Sequence, residues 1–141
     1  MEKAMFPKIL LVDDEPMVLE ALKRALRKEG YELAGANSAE QGLDILAKEK
    51  IDVVVSDEMM PGMAGSDFLG IVYSEYPETI RILLTGHPNL DTAIRAINKS
   101  QVYRFLIKPC SAIELSITIR QALQQKELSR NSLNLLETAK R

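Results

Sequence analysis

The feature that most narrows the fold of this chain is an alternation. Five short aliphatic or β-branched runs, at residues 9–12, 32–36, 51–56, 80–84 and 102–107, are separated by segments of helical period. Within 17–28, Val18, Leu19, Leu22, Ala25 and Leu26 recur at the i, i+3, i+4, i+7 spacing of one helix face. Residues 39–48 repeat the stripe with Leu43, Leu46 and Ala47, and 67–73, 92–97 and 113–123 complete five helices after five strands. Leu10–Val12 and Val53–Val55 are apolar without alternation, as strands covered on both faces of a parallel sheet are. The pattern predicts an α/β fold, a doubly wound (βα)5 sandwich around a five-stranded parallel sheet. In such sheets, ligands bind beyond the carboxyl ends of the strands.

Local signals mark where the helices begin. Ser38 with Gln41, and Ser111 with Glu114, are capping-box pairs, and Pro16 suits a first helical position because its missing N–H costs nothing there. The fourth helix should end in a turn formed at Asn98. After residue 125 the composition shifts. Residues 126–141 carry Lys126, Arg130, Lys140 and Arg141 against Glu127 and Glu137, with Leu128, Leu135 and Leu136 near heptad spacing and no Gly or Pro. The expectation is a domain over 8–125 and an outward continuation of the last helix over 126–141.

Chain length and composition exclude several function classes. At 141 residues the chain holds one core. A single cysteine, Cys110, excludes an internal disulfide and a thiolate cluster, and a single histidine, His87, excludes a multi-histidine metal site within this chain. A net charge of −2 argues against a direct nucleic-acid partner, which needs a basic face. No apolar run approaches the ~20 residues that span a bilayer, so no membrane partner is expected. Without a signal-peptide pattern at the start, the expected compartment is the cytoplasm.

The polar residues at the strand ends carry the chemistry. Asp13-Asp14-Glu15 follows the first run, Asp57-Glu58 the third, Thr85-Gly86 the fourth and Lys108-Pro109 the fifth. The fold would gather all four at one rim. Adjacent carboxylates raise one another's cost of ionising, and such a cluster is kept where a hard divalent cation binds. A hydroxyl and an ammonium completing that rim are what a phosphoryl group needs. Met59, Met60 and Met63 read as gap-filling near a turn and not as a soft-metal site, and Pro61-Gly62 as turn chemistry. His87 reads as a solvated loop residue, and Cys110 as inert.

Leu10-Leu11-Val12-Asp13-Asp14-Glu15, Ser56-Asp57-Glu58-Met59-Met60-Pro61-Gly62-Met63, Leu84-Thr85-Gly86 and Phe105-Leu106-Ile107-Lys108-Pro109 together resemble the response-regulator receiver domain of two-component signalling. The resemblance spans about residues 8 to 125. It implies the flavodoxin-like strand order 2-1-3-4-5. It also implies that Asp57 is the phospho-acceptor, served by a sensor histidine kinase or phosphotransfer protein. Asp13, Asp14, Asp57 and the backbone carbonyl of Met59 would hold Mg²⁺. Lys108 would pair with Asp57 at rest and with the phosphoryl oxygens afterwards, through a loop shaped by a cis Lys108–Pro109 bond. Thr85 and Phe105 would couple phosphorylation to a shift of the fourth helix and fifth strand. To invert a 1:99 equilibrium, the phosphate must favour the active state by ~5.5 kcal/mol.

What the domain controls is not written in these residues. The resemblance extends to receivers of multidomain regulators, including HD-GYP phosphodiesterases, and the tail would then be a linker to an output domain outside this chain. A homodimer through the face of the fourth helix, fifth strand and fifth helix, or through the tail, is compatible with the pattern. The alternatives are a stand-alone receiver and a receiver-like interaction module that is not phosphorylated. A flavodoxin-like ligand binder lacks its Gly-rich loop after the first run. An aspartyl-phosphate hydrolase would carry a second aspartate where Met59 stands. The domain reads as a regulator that catalyses only its own phosphorylation and dephosphorylation.

Overall fold

A computed structural model describes residues 6–86 and 90–139 of the chain. The elements run β1 (Lys8–Val12), α1 (Pro16–Leu26), a 3-10 turn (Arg27–Glu29), β2 (Glu32–Ala36), α2 (Ala39–Lys48), β3 (Val53–Asp57), α3 (Gly65–Glu75), β4 (Ile80–Thr85), α4 (Leu90–Ser100), β5 (Arg104–Ile107) and α5 (Ala112–Ala139). The five strands form one parallel sheet in the order β2-β1-β3-β4-β5. This is the doubly wound topology and strand order expected from the sequence.

Strand side chains alternate between two cores, as the two-residue period of a strand requires. Leu10, Val12, Val54 and Leu83 pack with Leu46 of α2 and Phe68, Leu69 and Val72 of α3. Ile9, Leu11, Val53, Val55, Ile82 and Leu84 pack with Leu26 of α1 and Leu115 and Ile119 of α5. Every residue of β3 is buried, which explains its unbroken apolar run. Phe68 is the largest fully buried side chain. A Cβ on Gly42 would stand 3.0 Å from its ring tip, so the absent side chain at 42 makes room for that ring. Phe68→Ala should therefore destabilise the domain by about 3–5 kcal/mol. A urea unfolding midpoint equivalent to less than 1 kcal/mol of loss would overturn that packing role.

Both sequence-marked caps form. The Gln41 N–H donates to Ser38 Oγ at 3.1 Å and the Glu114 N–H to Ser111 Oγ at 3.0 Å, and Pro16 opens α1. Element ends differ from expectation where specific side chains intervene. The β3 ladder starts at Val53 because the Asp52 carboxylate accepts from the Lys8 backbone N–H at 2.9 Å and ends the preceding loop. The turn after α4 forms at Gln101 (φ 48°) and not at Asn98. Its physical reason is Arg81, whose guanidinium takes the carbonyls of Ser100 and Gln101 and carries the helix past Asn98. With the turn there, β5 starts at Arg104, two residues later than the run suggested.

α5 continues without interruption across residue 125. Lys126 is folded back onto the sheet, its Nζ 3.2 Å from Asp52 just before β3. No helix among the described residues is long and apolar enough to cross a membrane.

Candidate functional site

Strand register brings the acidic residues together. Val12 pairs with Ser56, so Asp13 and Asp57 lie side by side at the carboxyl ends of β1 and β3. Asp57 pairs with Leu84 and Thr85 with Ile107, which places Thr85 and Lys108 on the same rim. Carboxylate oxygens of Asp13, Asp14 and Asp57 lie within 4.8 Å of one another. Asp13 and Asp57 are buried and Asp14 is half-buried. This is the only such acidic cluster among the described residues.

Lys108 reaches into the cluster from the other side. Its Nζ stands 2.9 Å from Asp57 Oδ1 and 3.3 Å from Asp13 Oδ2. Its backbone N–H donates to the Thr85 carbonyl at 2.8 Å, and the peptide bond to Pro109 is cis. Asp13 Oδ1 accepts from the Glu15 backbone N–H at 2.9 Å, which orients that carboxylate at the start of α1.

The two partners of the central ion pair respond differently. Burial pushes the Asp57 carboxyl above its ordinary value, against the lowering pull of Lys108 and of the Met59 backbone N–H, and Asp13 adds to the rise. Burial also works to lower Lys108, but its contacts with Asp57 and Asp13 outweigh it and raise its pKa. The difference follows from the surroundings. Lys108 is partly exposed and faces two carboxylates, whereas Asp57 is nearly closed off and faces one ammonium beside a like charge. The rim thus holds a charged lysine and an acid that ionises at a cost. Three carboxylates against one ammonium leave two negative charges when all are ionised.

The remaining expected residues fall on or behind this rim. Thr85 is buried at the end of β4. Phe105 is half-buried in β5, paired with Leu83 and packed against the α2–α3 core. Met59 lies two residues past the end of β3, with its side chain exposed. Cys110 is pushed up to about 11 by burial, with Glu114 adding to the shift, so its thiol is inert at neutral pH. His87 lies outside the described residues.

Two residues that frame the site were not found from the sequence. The Glu58 carboxylate accepts from the Ser66 backbone N–H at 2.7 Å and from Ser66 Oγ at 3.0 Å, and so caps α3. The Gly65 N–H donates to the Glu58 carbonyl at 2.9 Å, and a Cβ on Gly65 would stand 2.0 Å from the Asp57 carbonyl oxygen. Only glycine permits that approach, which starts α3 two residues earlier than its apolar stripe indicates. A glycine opening a helical pattern was the available signal.

This geometry has close counterparts among known proteins. Residues 9–120 match the family described as Response regulator receiver domain. The response regulator protein FleR of Pseudomonas aeruginosa is 37% identical over 122 residues, 86% of this chain and 26% of FleR. The solved signal receiver domain of an HD domain-containing protein from Pseudomonas fluorescens Pf-5 superposes with a TM-score of 0.84. It is 40% identical and covers 86% of this chain and 98% of that one. A structure described as an adenylate cyclase from Rhodopirellula baltica has a TM-score of 0.85 at 33% identity, over 94% of this chain and 98% of that one. The chain spans about a quarter of the length of the curated relatives it matches. With the motif residues at the strand ends, the acidic cluster beside one lysine, and the family match over most of its length, this chain belongs to the response-regulator receiver domains.

Proposed function

We propose that Asp57 takes a phosphoryl group from a sensor histidine kinase or phosphotransfer protein and that the resulting acyl phosphate switches the domain. One observation carries this reading. Two further carboxylates, Asp13 and Asp14, and the Lys108 ammonium converge on the single carboxylate that ends β3. That donor set fits Mg²⁺, a hard cation that takes a few carboxylate oxygens and completes its shell with water and phosphate. Asp13, Asp14, Asp57 and the Met59 carbonyl would hold it. When bound, Mg²⁺ supplies charge neutralisation for the transferring phosphoryl oxygens.

The protein's own residues do the rest. An Asp57 carboxylate oxygen attacks phosphorus, the phosphorus–nitrogen bond of the donor imidazole breaks, and that nitrogen keeps the electron pair. Burial of Asp57 beside Asp13 leaves it poorly solvated, so less water must be stripped from it during attack. Lys108, charged and already within 2.9 Å of Asp57, turns from the carboxylate to a phosphoryl oxygen. Thr85, four residues along β4 from Arg81, offers its hydroxyl to another, and Phe105 follows into the space behind it. Water later cleaves the acyl phosphate, so the domain is a timed regulator whose only catalysis acts on itself.

Residues 8–125 form the switching domain and 126–141 the linker to an output domain in a longer protein, which works in the cytoplasm. A second copy would bind either through the α4-β5-α5 face or through the C-terminal helix. Acetyl phosphate with Mg²⁺ tests the chemistry. Intact mass should show one phosphoryl adduct, dependent on Mg²⁺ and localised to Asp57 after borohydride trapping. An adduct elsewhere, or one equally abundant in chelator, would overturn the assignment.

A further inference from the structure

Arg81 is a buried cation that the phosphoryl chemistry does not use. It stands inside β4, where its neighbours Ile80, Ile82, Leu83 and Leu84 are apolar, and it is 8% exposed. Burial lowers its pKa, with Tyr73 opposing the shift. An arginine in such a place must have its donors satisfied. The guanidinium donates through Nε to the Ser100 carbonyl at 2.9 Å and through Nη2 to the Gln101 carbonyl at 3.0 Å. Through Nη1 it donates to the carbonyls of Thr79 and Pro77. Its face lies 4.9 Å from the Tyr73 ring of α3. One side chain therefore joins the C-terminal end of α4 to the turn before β4.

The same end of α4 is fixed by further contacts. The Gln101 N–H donates to the Ile97 carbonyl at 2.8 Å, and Gln101 Nε2 to the Asn98 carbonyl at 3.0 Å. Lys99 pairs with Asp67 of α3. Gln101 sits in the left-handed region, a conformation that costs a non-glycine residue free energy and persists only where its surroundings hold it. Arg81 supplies part of that hold by taking the Gln101 carbonyl.

Strand period puts Arg81, Leu83 and Thr85 on one face of β4, with Arg81 at the amino end of the row and Thr85 at the carboxyl end. α4 follows Thr85 and finishes over Arg81. A rod held at one end and displaced at the other turns about the held end. We propose that Arg81 is the positioning residue that makes Ser100–Gln101 the fulcrum of α4, so that activation at the Thr85 end tilts this helix instead of translating it. The inference rests on the phospho-acceptor reading for its input, but the fulcrum itself is a property of the resting fold.

Helix geometry makes the difference measurable. At 1.5 Å rise per residue, position 91 lies about 15 Å from residue 101 along the axis and position 98 about 4.5 Å. Tilting moves the first about threefold further than the second, whereas translation moves both equally. Spin labels on Asp91→Cys or Asn98→Cys, each paired with Asp44→Cys on α2 in a Cys110→Ser background, would be measured by double electron–electron resonance with Mg²⁺ and beryllofluoride. The expected result is a clear shift at 91 and roughly a third of it at 98. Equal shifts, or a larger one at 98, would overturn the fulcrum.

A second arm needs no activation. In Arg81→Met the Gln101 amide should exchange with solvent at least about tenfold faster, while amides in the β1 and β3 core keep their rates. Arg81→Lys, which keeps the charge but cannot span four carbonyls, should fall between. An unchanged Gln101 amide would sink the role of Arg81. If acetyl phosphate leaves no adduct on Asp57, the phospho-acceptor reading fails by itself, and the exchange arm alone decides the fulcrum. If Arg81→Met does not fold, Arg81→Lys serves in its place.

Discussion

Asp57→Asn should have two opposite effects: complete loss of the phosphoryl adduct and a more stable metal-free domain. The loss follows because an amide oxygen is a poor nucleophile and forms no acyl phosphate. The gain follows from the raised pKa of Asp57. A carboxyl whose folded pKa lies above its ordinary 3.8 binds its proton more tightly in the folded state. Its contribution to stability is therefore greatest below 3.8 and is lost as pH rises through the folded value. Asn removes that burden and keeps the shape. Lys108 is not orphaned by the change, because Asp13 Oδ2 remains 3.3 Å away.

At pH 7 the variant is therefore expected to unfold at a higher urea concentration than the wild type. Urea unfolding of both proteins across pH, in chelator, would read it. The wild type should lose stability as pH rises from about 4 relative to Asp57→Asn. Mg²⁺ should stabilise the wild type more than the variant, since it binds the folded acidic cluster. A variant less stable than the wild type at neutral pH would show that the Lys108 pair outweighs the burial of Asp57.

Gly65→Ala should be the most damaging single-methyl change in the domain. Its Cβ would meet the Asp57 carbonyl oxygen at 2.0 Å, the Asp57 carbonyl carbon at 2.8 Å and Glu58 Cα at 2.9 Å. All three are backbone atoms at the end of a fully buried strand, so no side-chain rotation relieves the clash. Either α3 or the end of β3 must move, and Asp57 moves with the latter. A loss of about 3–5 kcal/mol is expected, the upper range for overpacking because backbone must yield. Phosphoryl uptake should fall more steeply than stability alone explains. Gly62→Ala is the matched control for the nearby turn, where added bulk meets nothing within 4 Å but φ is +84°. If Gly65→Ala cost no more than that control, the close approach would not be governing the site.

The parts of this fold that were legible from sequence share a cause. Helix stripes, unbroken strand runs and capping pairs are local patterns, and each is decided by residues within a few positions of one another. The acidic pair and the lysine were legible because a parallel sheet sends every strand end to one rim. What the sequence hid depends on contacts between distant segments. Glu58 looks like one more rim carboxylate, yet it faces Ser66 and caps a helix. Gly65 looks like loop punctuation, and its need appears only with the Asp57 carbonyl beside it. Arg81 reads as an exception inside a strand, and the carbonyls that justify it come from two turns about 20 residues apart in the chain. The misplaced turn at Asn98 is the same error, since the helix end is set by Arg81 and not by local propensity.

The ion pair between Lys126 and Asp52 also bears on how far a small motion can carry. Beyond it, α5 runs for another 13 residues to Ala139. At 1.5 Å per residue that is about 20 Å of helix beyond this ion pair. A change in tilt of 5° at that tie would swing the far end by about 2 Å. A tilting α5 would thus act as a lever arm, with its bearing at the amino ends of the strands, far from the acidic rim. A group carried at that end would undergo a linear displacement that grows with the helix length, for the same small angle at the tie.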